Sequence, residues 1–464
     1  MRHRPLAFRE ALNMVPAPLF MAPLHHFTRE AKHTLTLAIP IMAGQLSQML
    51  MGVTDSIMVG RVGVVPLAAS AFSNSLTAVP FLFGIGLLQC ISVRAAEAHG
   101  ASDRRETGEV LRHGLALSIL AGLAMIALTL LVATQLHRFG QPPEVAASAR
   151  HFFLLIGISL LPMFMSMSLR QFSEALNHPW PPMMIMLGSV FLNAGLNWIF
   201  IYGNLGSPAL GLNGAGLATL ISRVVALVAI FLYVLYARRF DGALPAGWLR
   251  ALHWARLSSL LKIGLPTAGQ LLLECSAFTL AAIMMGWLGT VPLAAHQIAL
   301  TCCATAFMFP LGIAMATTIR IGQALGANAA ARVRSIGVSS FALSAVIMAL
   351  SALVFSFAGG PIARTFVEDP SVTALAARLL IVAALFQLFD GLQVVAAGAL
   401  RGLSDATVPM LICLVAYWIV FVPVGYLSAF YFHFGPFGIW AGLALALAVA
   451  AVLLIGRFVK KSAL

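Results

Sequence analysis

The chain has 464 residues, of which 60% are hydrophobic and 9% charged, with a net charge of +13 and a mean hydropathy of +0.95. A soluble fold of this length has far too little core to bury so much apolar surface. Uncharged runs of membrane-spanning length recur along the chain and are apolar on every face, which excludes the alternating strands of a transmembrane β-barrel.

Residues 1–30 are basic and interrupted by Pro16, Pro18 and Pro23. They read as a cytoplasmic tail against anionic lipid, or as a start placed too early, with Met14 or Met21 as the first residue. Twelve spans are expected near 34–60, 66–93, 113–136, 148–169, 181–203, 213–237, 258–287, 292–319, 335–358, 372–400, 408–432 and 438–456. With both termini cytoplasmic, the inside segments hold 22 of the 28 Lys and Arg residues. The positive charge is therefore topogenic, not a nucleic-acid surface. The five cysteines lie in apolar runs without metal spacing and read as packing residues.

The chain repeats itself. From Pro40 to about Ala101 it can be laid without a gap on the stretch 226 residues further on. Pro40 meets Pro266, Gly60 meets Gly286, Gly63 meets Gly289, Arg94 meets Arg320, and Gly100-Ala101 meets Gly326-Ala327. Each copy then has six spans, an even number, so both enter the membrane from the same side. The expected fold is an all-α polytopic membrane protein: an N-lobe at 31–237, a linker at 238–257 and a C-lobe at 258–464, with the lobes related by a pseudo-two-fold axis along the membrane normal. The linker reads as a loop long enough to let the halves rock.

Only Asp55, Glu274 and Asp390 lie deep within spans; Glu97, Glu174 and Asp405 sit at cytoplasmic ends, where solvation is expected. A charge costs ~2.5–3.5 kcal/mol at the centre of a membrane helix on insertion scales. Arg223 is the one base available to the deep acids, so the rest must be protonated or hold a cation. Asn193 and Asn197 share a face of the fifth span, and Thr219 reaches the depth of Asp55, giving a plausible Na⁺ or proton site. Glu274 and Asp390 form a second. Methionines (Met42, Met163, Met183 among them) and Phe72, Phe81, Phe83, Phe278 and Phe389 read mainly as packing, with a minority free to line a cavity.

The stretches TDSIMVGRVGVVPLAA (54–69), LNAGLNWIFIYG (192–203), GLNGAGLAT (211–219) and FQLFDGLQVVAAGALRGLSDATVPM (386–410) resemble the multidrug and toxic compound extrusion (MATE) family, in its NorM-type branch. The resemblance implies a V-shaped exporter of cationic or amphipathic drugs, working by alternating access in exchange for H⁺ or Na⁺. It would be a monomer in the bacterial inner membrane, with small molecules and lipid as its partners and no cofactor. Asp55, Asn193, Asn197 and Thr219 match that family's N-lobe cation site, and Glu274 and Asp390 its C-lobe acidic pair. Pro40, with Pro266 its repeat copy, matches the proline at which a protonation-linked bend of the first helix is proposed there. Two departures weigh toward protons: Phe386 stands where some Na⁺-coupled relatives offer a tyrosine, and Asn197 where some carry a second aspartate. A flippase for lipid-linked oligosaccharide or peptidoglycan precursor is the alternative, disfavoured because anionic headgroups call for several buried arginines and the chain offers only Arg223. An intramembrane enzyme is less favoured still, since no HExxH, GxSxG or GxGD occurs.

Overall fold

The computed structural model describes residues 24–248 and 250–463. These residues hold twelve helices long and apolar enough to cross a bilayer. They are α1 (Phe27–Gly60), α2 (Val64–Gly100), α3 (Arg104–Ala133), α4 (Pro143–Ala175), α5 (Trp180–Tyr202), α6 (Leu212–Tyr236), α7 (Trp254–Trp287), α8 (Thr290–Gly326), α9 (Ala330–Arg364), α10 (Pro370–Gly402), α11 (Thr407–Tyr431) and α12 (Pro436–Lys461). Among the described residues there is no strand. The expected all-α, twelve-span architecture is therefore observed.

Differences lie mostly at the basic end of the bundle, where helices outrun their apolar cores. The helix of α1 already begins at Leu24, so residues 24–30 are not tail; the rest of the tail, with Met14 and Met21, lies outside the described residues. α2 runs to Gly100 and α3 starts at Arg104, because a tight turn capped by Asp103 joins them. The Asp103 carboxylate accepts from the Glu106 N–H at 2.9 Å, a cap worth about 1 kcal/mol. Pro40, Pro80, Pro162, Pro266 and Pro310 all lie inside continuous helices. α11 contains two unexpected π-helical stretches, Val415–Phe421 and Leu427–Tyr431.

The repeat is written in the backbone as well as in the side chains. The turns after α1 and α7 use Gly63 and Gly289 at φ 155° and 120°, a region closed to other residues. The helix ends at Ser102 and Asn328 both enter the left-handed region, at φ 58° and 55°.

α1–α6 (the N-lobe) pack on one another, as do α7–α12 (the C-lobe), and the lobes meet where α1, α2 and α3 touch α7, α8 and α9. Glycines set how closely they meet. A Cβ on Gly100 would fall 2.1 Å from the Gln323 carbonyl oxygen, and one on Gly326 would fall 2.0 Å from that of Glu97. Under the 226-residue shift these two contacts are the same contact. Gly86 against Ala268 and Gly312 against Met42 form a second such pair. All these contacts lie in the half of the bundle that carries the termini. In the opposite half, Gly52, Gly60 and Gly286 meet no residue of the other lobe. The lobes thus join at one end and part toward the other.

The linker is not a free loop. Phe240 is fully buried, its ring 5.5–5.8 Å from those of Phe172, His178 and Tyr233. Arg104 and Arg112 donate to the carbonyls of Asp241 and Gly247, each at 3.3 Å. An apolar anchor and two guanidinium clamps hold it to the N-lobe.

Candidate functional site

In the N-lobe, α1 packs on α5 and α5 on α6, and this brings the four expected residues together. The amide of Asn197 donates to Asp55 Oδ1 at 2.6 Å, and the Thr219 hydroxyl lies 3.2 Å from Asp55 Oδ2. Asn197 also donates to Asn193 Oδ1 at 3.2 Å, and Asn193 to Thr219 Oγ1 at 3.4 Å. Asn193, Asn197 and Thr219 are buried, whereas Asp55 is only half-buried. Its carboxylate is held by neutral donors. Asn197 Oδ1 has no partner, so turning that amide, whose orientation is an assignment, would offer a cation a further oxygen beside the carboxylate.

Arg223 makes no direct ion pair with Asp55. It lies in electrostatic range of that acid, but its guanidinium donates to Ser159 Oγ at 2.6 Å. The reason is packing: α6 lies along α4, so the side chain finds a serine there before it can reach α1.

In the C-lobe, Glu274 on α7 and Asp390 on α10 are in electrostatic range of each other without a direct hydrogen bond. Asp390 is 5% exposed and its Oδ1 has no partner, whereas Glu274 is half-buried. The residues around them escaped the sequence reading. Tyr417, in the first π-helical stretch of α11, is fully buried with its hydroxyl beside Glu274. Gln387, one turn before Asp390, accepts from Ser351 at 2.9 Å. Phe386, where a lost tyrosine oxygen was expected to weaken the site, is packed against Phe278 and Trp440 at ring distances of 6.1 and 5.4 Å. A phenol is thus present after all, contributed by another helix. A polar residue in the middle of a span was the available signal.

The expectation of a single buried base also fails. Arg170 and Arg401 are 5% and 3% exposed, and Arg401 lies in electrostatic range of Glu274. Nor are the end-of-span acids simply solvated. Glu174 is 3% exposed, with Arg170 at 3.5 Å, and Asp405 is 7% exposed, with Arg457 and Lys461 each at 3.1 Å. Glu97 pairs with Arg94 at 2.7 Å. The helix of Glu174 continues past its apolar core, and Asp405 sits in the turn after α10 against the end of α12, so both lie in packed structure, where a lone charge would be costly.

The two acidic sites are not copies of each other. The repeat places Ala281 at the position of Asp55 and Gln48 at that of Glu274.

The MatE family model matches this chain twice, over residues 40–199 and 266–427. The chain is 36% identical over 440 residues to the "Probable multidrug resistance protein NorM" of Bradyrhizobium diazoefficiens, covering 94% of each chain. It is 37% identical over 447 residues to the protein of the same name from Mesorhizobium japonicum, covering 95% of this chain and 96% of that one. Among solved structures, the fold is similar to that of the eukaryotic MATE transporter AtDTX14, with a TM-score of 0.85 at 22% identity over 94% of this chain and 98% of that one. A structure described as MATE in the bent conformation has a TM-score of 0.86 at 21% identity over 94% and 97%.

Proposed function

The chain belongs to the MATE family, and on that premise we propose that it exports amphipathic or cationic drugs in exchange for H⁺ or Na⁺ by alternating access. The observation that carries this reading is the pair of unlike acidic sites: Asp55 ringed by amides and a hydroxyl, and Glu274 with the unpartnered Asp390 beside the Tyr417 phenol. A carboxylate to which no arginine is directly bonded stays available to a small cation or to an organic one, and the two compete for it. Such competition moves a two-state protein only if each ligand binds the two states unequally.

The moving units are the N-lobe (31–237, with the start of α1 before it) and the C-lobe (258–464, with the start of α7 from Trp254), and the segment 238–253 crosses between them. The excess of Lys and Arg at the termini-bearing end supports a cytoplasmic position for that end in a bacterial inner membrane, with the lobes then parting toward the outside. Pro40 and Pro266 each free a carbonyl on a helix that bears a site acid. They are the positions where α1 and α7 can bend.

The deciding experiment is efflux of ethidium from vesicles under an imposed pH gradient or an imposed Na⁺ gradient. Efflux driven by either gradient supports antiport; efflux indifferent to both removes it.

Asn197→Asp tests the N-lobe site. It puts a second carboxylate at hydrogen-bond distance from Asp55, and such a pair holds one proton or a metal cation between them. The expected result is efflux that becomes more responsive to Na⁺. An unchanged ion response in a well-inserted variant shows that this site does not bind the coupling ion.

A further inference from the structure

Two clusters of charge lie across the closed seam, and the internal repeat relates them. In the first, Glu30 at the start of α1 bonds to Arg320 of α8 and, at 3.3 Å, to Arg332 of α9. Arg320 also donates to the Thr34 hydroxyl at 2.5 Å. In the second, Arg256 at the start of α7 bonds to Glu106 of α3 at 2.7 and 3.3 Å and to Glu109 at 3.0 Å. Position 256 is position 30 shifted by 226, and position 332 is position 106 shifted by the same amount. One contact of the pseudo-two-fold therefore occurs twice with its charges exchanged: acid on α1 meeting base on the C-lobe, base on α7 meeting acid on the N-lobe. Even the atoms correspond, an arginine Nε 3.3 Å from a glutamate Oε1 in both.

The exchange has a physical reason. Had the second copy kept the first copy's residues, Glu30 would face a glutamate at position 332, and a glutamate at 256 would face Glu106. Both contacts would repel. Reversing the sign at both positions makes both attract. A comparison of the two copies by residue identity passes over these positions, because they differ.

We propose that these two clusters are paired latches that hold the cytoplasmic ends of the lobes together, and that both must open when the protein turns its cleft inward. The proposal rests on the alternating-access reading, but concerns the gate and not the ion or the drug. Each latch spans the two lobes, so moving them apart breaks it. Arg332, Arg256 and Glu106 have side-chain exposures of 57%, 33% and 39%, so water readily solvates them once parted, which suits a bond that is made and broken in each cycle. The glycine crossings beside them bring the backbones together; the latches add charge selectivity at the rim. His113, against the Glu109 side of the second latch, accepts from the His253 N–H at 3.0 Å, so the start of α7 is held to α3 by main chain as well.

The test is hydrogen exchange followed by mass spectrometry on the full-length protein, comparing the native chain with Glu30→Gln/Arg256→Gln, each single variant and Arg256→Lys. The double variant is expected to exchange at least ~3-fold faster in the seam segments 86–101, 262–270 and 312–327, with equal or slower exchange in the outer segments 50–60 and 276–286. Single variants should fall between, and Arg256→Lys, which keeps the charge, should stay near the native rates. Unchanged seam exchange in the double variant overturns the proposal. So does faster exchange at both ends alike, which would mark lost stability instead of an opened gate. Neither outcome depends on transport, so loss of the latch and loss of the antiport reading are separable.

Discussion

Asp390→Asn is expected to lower drug export about a hundredfold or more while leaving the amount of inserted protein unchanged, equivalent to at least ~2.7 kcal/mol of lost coupling. The substitution keeps the shape of the side chain and removes only its charge. Asp390 is 5% exposed with Oδ1 unpartnered, so an amide there relieves the cost of burying a carboxylate. The thermal midpoint should therefore stay level or rise. Coupling has the opposite requirement. Moving a two-state equilibrium from 1:99 to 99:1 takes about 5.5 kcal/mol of differential binding, and a cation crossing the membrane potential adds about 2.3 kcal/mol per 100 mV. Both act through a charge the cation can neutralise. Efflux and thermal unfolding of the purified variant check the two halves of the expectation. Normal export by a well-inserted Asp390→Asn protein would take this residue out of the mechanism.

Gly326→Leu should open the seam. Its Cβ would fall 2.0 Å from the Glu97 carbonyl oxygen and 2.8 Å from the Ala101 nitrogen. Both are backbone atoms, so no rotamer change makes room. Overpacking costs about 1–3 kcal/mol where side chains can yield; here two helices must part. At 1.4 kcal/mol per decade, a penalty at the upper end shifts the balance between seam-closed and seam-open states by about a hundredfold. Export should fall, and hydrogen exchange in segments 86–101 and 312–327 should rise. Gly100→Leu should behave alike, since its Cβ meets Gln323 by the same crossing. Gly456→Ala is the control, because nothing lies within 4 Å of that position. Native export and native seam protection in Gly326→Leu would show that this crossing is looser than the structure has it.

Asp55, Asn193, Asn197 and Thr219 could be grouped from sequence because depth along a helix is a matter of counting, and polar residues at one depth in oil seek one another. Counting does not fix the contacts of Arg223. Depth places it near Asp55, but the azimuth of α6 against α4 decides which oxygen it reaches, and that is Ser159. Tyr417 could not be placed because a π-helical stretch changes which way the side chains of α11 face. Glu174 looked solvated because hydropathy marks where the apolar run stops, not where the helix does, and Asp405 because sequence does not show that the end of α12 closes over its turn.

The sequence by itself determined the solvent, the number of spans, the internal repeat and the short roster of acids that membrane burial makes expensive. Each of these is set by local composition or by self-similarity along the chain. Only the tertiary structure decided which charges meet across the seam. The pairing of Glu30 with Arg332 and of Arg256 with Glu106 depends on two lobes being brought face to face by glycine crossings, a long-range geometry that no local pattern encodes.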